Sequence, residues 1–173
     1  EISGHFPKHR FSSRFLLSEW HNVIDAWQIN SWEDYRSLAR RGQKTRLAES
    51  HRESIWPIFV ALRESLAKDG LITMAQMFND LAEQLSQRES SPYEYAVIDE
   101  AQDLSVPQLR FLAGLGGDRP DSLFFAGDQG QRIFQAPFSW KSLGVDIRGR
   151  SRVLRVNYRT SHQIRSQADR LLD

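Results

Sequence analysis

The 173-residue chain contains no cysteine, which excludes disulfides and thiolate metal sites and leaves oxygen and imidazole as the side-chain ligands for any metal. It also lacks a long apolar run, and nothing in it approaches the roughly 18 residues that a membrane span needs. The N-terminal EISGHFPKHRFSSRF scatters its basic residues with no apolar stretch of about 7 or more behind them, so it does not read as a signal peptide. A cytoplasmic location is therefore the expectation. The histidine pair in HFPKH, His5 and His9, has Pro7 between its members and no third ligand. It reads as an exposed segment rather than a metal site.

Net charge is also scarce, at +1, but the balance hides an asymmetry. Residues 1–131 carry 14 Lys/Arg against 19 Asp/Glu, whereas residues 132–173 carry 9 against 3, and eight of those nine cations are arginines. Such a segment suits phosphate partners, or it is a solvated charged face. With 40% hydrophobic and 26% charged residues, the composition is that of a folded chain with a real core, in one domain or in pieces of two.

The first 90 or so residues carry helical periodicity. SSRFLLSEWHNVIDAW places Phe15, Leu16, Trp20, Val23, Ile24 and Trp27 three and four apart, with Ser12 or Ser13 as cap. SWEDYRSLARR offers Ser31 as a cap, with Asp34 three residues on, and is expected to run to Gly42. ESIWPIFVALRESLAKDG predicts a third helix closed by Gly70, with Pro57 near its first turn. TMAQMFNDLAEQLSQ predicts a fourth, its stripe made by Met74, Met77, Phe78, Leu81 and Leu85.

After RESSPYE the pattern changes. YAVID, SLFFAGD and RVLRVNY are short apolar runs, and VPQLRFLAGL between the first two is helical, with Pro107 near its start. Alternating strands and helices predict a parallel sheet covered on both faces, whose ligands lie beyond the carboxyl ends of the strands. The acids Asp99, Glu100 and Asp128 fall at those ends. Adjacent carboxylates there suit Mg²⁺, which takes one or two carboxylates together with phosphate oxygens and water. Asp99 would hold the metal while Glu100 orients or deprotonates water. The same pair also reads as an aspartate capping the next helix and a glutamate in solvent.

DEAQD is followed by FFAGDQGQRIF and then by LRVNYRTS, and in this order the three stretches resemble motifs II, III and IV of the UvrD/Rep family of superfamily 1 DNA helicases. The resemblance implies an α/β fold, a partial RecA-like (P-loop NTPase) parallel-sheet lobe with a preceding helical insert. It implies ATP and Mg²⁺ as cofactors, Asp99 as the metal-binding acid and Glu100 as the catalytic base beside the metal. By the same resemblance Gln131 senses the terminal phosphate, Arg159 reaches the γ-phosphate and Tyr158 stacks on adenine. Gln102 and Asp128 become groups linking motifs II and III. Phe134, Phe138 and Trp140 become candidates for stacking on bases of single-stranded DNA, or rings packed beneath their loop. Phe134 stands where the family usually has tyrosine.

Family order further implies three regions: 1–91 as part of the 1B insert and the helix returning to lobe 1A, 92–150 as the latter part of lobe 1A, and 151–173 as the start of lobe 2A. RGQKTR is not a Walker A, because a glutamine separates Gly42 from Lys44. Motifs V and VI are likewise missing. The expectation is therefore an internal piece of an ATP-dependent 3′-to-5′ DNA helicase, inactive by itself. Its expected partners are single-stranded or single-strand-tailed DNA and the rest of its own helicase chain, with no membrane. A non-catalytic nucleic-acid-binding module and the helicase subunit of a recombination helicase-nuclease are the alternatives.

Overall fold

The computed structural model describes residues 10–38, 47–128, 138–154, 156, 158 and 161–170. Helix α1 spans Ser13–Glu19, and the Ser12 hydroxyl accepts the Phe15 N–H at 3.2 Å. At Trp20 the hydrogen bonding slips by one residue into a π-helical turn, Trp20–Ile24, closed by Asp25 N–H to Trp20 C=O at 2.8 Å. Trp20, Val23 and Ile24 face inward together with Leu16, at the three- and four-residue spacing of the stripe.

Helix α2 spans Trp32–Ser37, and Ser31 caps it by accepting the Asp34 N–H at 3.1 Å. It ends well before the expected Gly42, at an extended Leu38, and residues 39–46 lie outside the described set. A residue remote in sequence holds that end. Arg52 Nη1 donates to the carbonyls of Tyr35, Arg36 and Leu38 at 2.6, 2.9 and 3.1 Å. These are the last-turn carbonyls that a helix leaves without partners of its own.

Helix α3 spans Glu49–Lys68, so Pro57 sits in its interior rather than in its first turn. The expected position was wrong because the helix begins several residues upstream, on the polar ESHRES, where no apolar period announces a start. Helix α4, Met74–Ser86, is capped by Thr73. Its stripe meets α5, Val106–Gly116, through Phe78 against Phe111, with ring centroids 5.6 Å apart. A Cβ at Gly114 would stand only 3.3 Å from the Ala82 carbonyl oxygen, so the missing side chain lets the two helices close. No residue of α4 is fully buried, and Met74 is exposed.

Strands β1, Ala96–Ile98, and β2, Leu123–Phe125, pair in parallel with Ala96 opposite Leu123 and Ile98 opposite Phe125. Helix α5 is their crossover, as a parallel pair requires. Leu123 and Phe125 pack with Val106 and Leu109. Val97 and Phe124 stay 77% and 64% exposed, so the sheet is covered on one face and not on two. The expected third strand also differs: residues 151–154, 156 and 158 belong to no strand, and Val153 and Leu154 are exposed. An apolar run reports a need for cover, and among the described residues no further strand lies beside this one to provide it. Helix α6, His162–Asp169, follows.

The core falls into two clusters, one around Ile24, Tyr35, Ile55 and Phe59 and one around Val106, Leu109, Leu143 and Val145, with Trp27 packed against both. Among the described residues no helix is long and apolar enough to cross a membrane.

Candidate active site

Strand β1 stops at Ile98, and its carboxyl end delivers Asp99 and Glu100 to the surface, both exposed. The chain bends sharply there. Glu100 takes left-handed dihedrals, φ 51° and ψ 40°, and its N–H is satisfied by Asp99 Oδ1 at 2.8 Å. A short 3₁₀ turn, Ala101–Asp103, follows and leads through Ser105 into α5. Gln108 Oε1 accepts the Ser105 N–H at 2.8 Å, which fixes the entry to that helix.

Strand β2 stops alongside, and main-chain bonds tie the two ends together. Ala126 N–H donates to the Ile98 carbonyl at 2.8 Å, and Ala101 N–H donates to the Ala126 carbonyl at 2.9 Å. Between them lies Gln102, 5% exposed. Its Nε2 donates to Glu100 Oε2 at 2.6 Å, and its Oε1 accepts the Asp128 N–H at 2.9 Å. Gln102 and the backbone of Asp128 therefore do meet across the two strand ends.

Asp99 Oδ2 and Glu100 Oε1 have no protein partner among the described residues. Two free carboxylate oxygens facing solvent could enter the shell of a hard cation alongside phosphate and water. No group of three or more His, Asp or Glu side chains gathers among the described residues.

The other expected site residues divide. Gln131, Phe134 and Arg159 lie outside the described residues. Tyr158 is 94% exposed. Phe138 and Trp140 are half-buried against the second core cluster, and the Trp140 ring meets Phe125 edge-on with centroids 4.9 Å apart. Their faces are therefore largely taken by packing, and only part of each ring is open to a base. In the basic segment, Arg148 is chelated by Asp146 through Nε at 2.8 Å, which pulls that carboxyl far below its usual range.

One participant was not anticipated. Gly127 lies so close to Gln102 that a Cβ there would fall 2.5 Å from Gln102 Oε1. A lone glycine after an apolar run was the available signal. Also unanticipated is an open cleft of about 770 Å³, lined by Trp20, Asp25, Arg63, Asn79 and Arg110. Burial raises the pKa of Asp25 and lowers those of Arg63 and Arg110. The two guanidinium groups lie 5.8 Å over Trp20 and 5.5 Å over Trp27.

The fold is thus a helical unit followed by a strand–helix–strand unit whose parallel strands end in exposed acids. The family model of the UvrD/REP helicase N-terminal domain matches residues 7–140, which takes in both units. The chain belongs to the UvrD/REP helicase family. No curated protein and no solved structure matches it.

Proposed function

We propose that this chain supplies the metal-binding acid and the catalytic base of an ATP-dependent DNA helicase that moves on single-stranded DNA. The observation that carries the reading is the pair of exposed carboxylates past the carboxyl end of β1, with Glu100 held by a buried amide. Mg²⁺, when bound, would neutralise the charge on the phosphates being separated. Asp99 would direct its free oxygen to that cation, and Glu100 would orient and deprotonate the attacking water. Gln131 and Arg159 would address the terminal phosphate, and Tyr158 the adenine. A guanidinium suits that role because its fork matches an oxyanion and keeps its charge. Phe134 would stack on bases, with Phe138 and Trp140 adding what remains exposed of their rings. A 3′-to-5′ direction follows from family resemblance.

The test separates the two acids in a helicase that carries this segment. Glu100→Gln keeps the shape and loses the base, so ATP and DNA binding should persist while hydrolysis falls by orders of magnitude, about 10²-fold or more. Asp99→Ala should weaken Mg-nucleotide binding itself. Near-normal turnover by Glu100→Gln would remove Glu100 from the role.

A further inference from the structure

We propose that the open cleft walled by α3, α4 and the chain around the π-turn is a docking site for a segment of another protein, one that carries an acidic and a basic side chain about an apolar one.

The cleft, of about 770 Å³, shares no lining residue with the acidic strand end and is of a size that holds a ligand. Two cations from different elements line it, Arg63 of α3 and Arg110 of α5. Each is half-buried, lies against an indole ring and uses a single hydrogen bond. Arg63 Nη2 donates to the Ile29 carbonyl at 2.8 Å, and Arg110 Nη1 donates to Asn79 Oδ1 at 3.2 Å. Asn79 is itself oriented, because its Nδ2 donates to the Ala75 carbonyl at 2.8 Å and so leaves Oδ1 for the guanidinium. A guanidinium carries several more N–H groups than one bond uses, and among the described residues nothing else takes them. Arg110 makes no ion pair among those residues, and burial alone lowers its pKa. A carboxylate arriving at its fork would offset that burial with charge-assisted hydrogen bonds.

The opposite charges on the cleft decide what brings the carboxylate. Asp80 and Glu83 stand three positions apart on α4, hence on one face, and both are exposed where they line the cleft. With Asp25 they set three acids against the two cations. That balance disfavours a nucleic-acid strand, whose successive phosphates would meet carboxylates. It suits a ligand with charges of both signs, its carboxylate on the guanidinium forks and its ammonium beside Asp80 and Glu83. The same cleft is lined by Leu71 and Ile72, consecutive aliphatic residues left 56% and 59% exposed. An apolar side chain of a partner would cover them. A polypeptide brings all of these groups on one short backbone.

Two blocked tripeptides, acetyl-Glu-Leu-Lys amide and acetyl-Lys-Leu-Glu amide, test this on the 173-residue chain, with binding followed by backbone amide NMR shifts. At least one should bind saturably, with a Kd on the order of 1 mM, and should shift the amides of Leu71, Ile72 and Asn79. Replacing its glutamate by glutamine leaves the protein untouched and should weaken binding ~10-fold or more, as should Arg110→Gln. Arg110→Lys keeps the charge but loses the fork, and should bind to an intermediate degree. Replacing the peptide's lysine by glutamine removes only an exposed pair and should weaken binding roughly 2- to 5-fold. Failure of both tripeptides to saturate up to about 10 mM overturns the proposal, and so does equal binding of the glutamate and glutamine peptides. Displacement of the bound peptide by oligothymidylate, with both ligands lost in Arg110→Gln, would overturn it in favour of a nucleic-acid surface.

Discussion

Asp25 illustrates what the sequence conceals at the scale of single residues. The residue is 7% exposed, its carboxylate accepts the Thr73 hydroxyl at 2.8 Å, and the same hydroxyl caps α4 by accepting the Gln76 N–H at 3.0 Å. Burial raises its pKa, against the opposing pull of Thr73, His21, Arg63 and Gln28. The folded state therefore holds this proton more tightly than the unfolded chain does. Its contribution to stability is fullest below the unfolded value of about 3.9 and declines as pH rises through the folded value. Asp25→Asn keeps an oxygen for Thr73 and cannot ionise. Chemical denaturation at a series of pH values should thus show wild type losing stability relative to Asp25→Asn as pH climbs from about 4 towards neutrality, and a pH-independent difference would contradict the assignment. Nothing around Asp25 in the sequence pointed here, because its partner lies 48 positions away. The place of Asp99 and Glu100 at the end of a strand was legible for the opposite reason: a β-branched run ending in acids is a local pattern.

At the scale of elements, periodicity located the helices and misjudged their ends. The stripes of α1 and α4 and the caps at Ser12 and Ser31 were readable, since each depends on residues within one or two turns. The π-turn at Trp20, the end of α2 under Arg52 and the interior position of Pro57 were not, since tertiary packing decides them. The same division applies to the aromatic segment after β2. A ring in a loop reads as a candidate for stacking on a base, yet Trp140 lies edge-on to Phe125 and against the cluster around Val106 and Leu109. Large-to-small truncation of a packed tryptophan costs roughly 3 kcal/mol. Trp140→Ala should therefore lower the denaturation midpoint, whereas Phe134→Ala should weaken single-strand binding by about 1 to 3 kcal/mol with no preference among bases. Equal loss of DNA affinity in both variants, with Trp140→Ala as stable as wild type, would make Trp140 a DNA contact and not a packing residue.

Over the whole molecule, two acids are presented at the end of a parallel pair, while the 173 residues contain no G-x-x-x-x-G-K-[ST] to cradle phosphates. Phosphoryl transfer depends almost entirely on positioning and charge neutralisation, so carboxylates without a phosphate cradle should do little. The family was legible from three short stretches because each is compact. The open face of Val97 and Phe124 was not, because a run's hydrophobicity does not name the element that covers it. The central claim is that Asp99 and Glu100 supply the metal and base functions of a site whose phosphate-cradling loop is not among these residues. It is tested most directly by steady-state ATP hydrolysis with single-stranded DNA, measured on the 173-residue chain beside its Glu100→Gln form. No turnover above background is expected in either. Turnover in the wild-type chain that disappears in Glu100→Gln would contradict it, because the phosphates would then be held by residues that this account leaves unassigned.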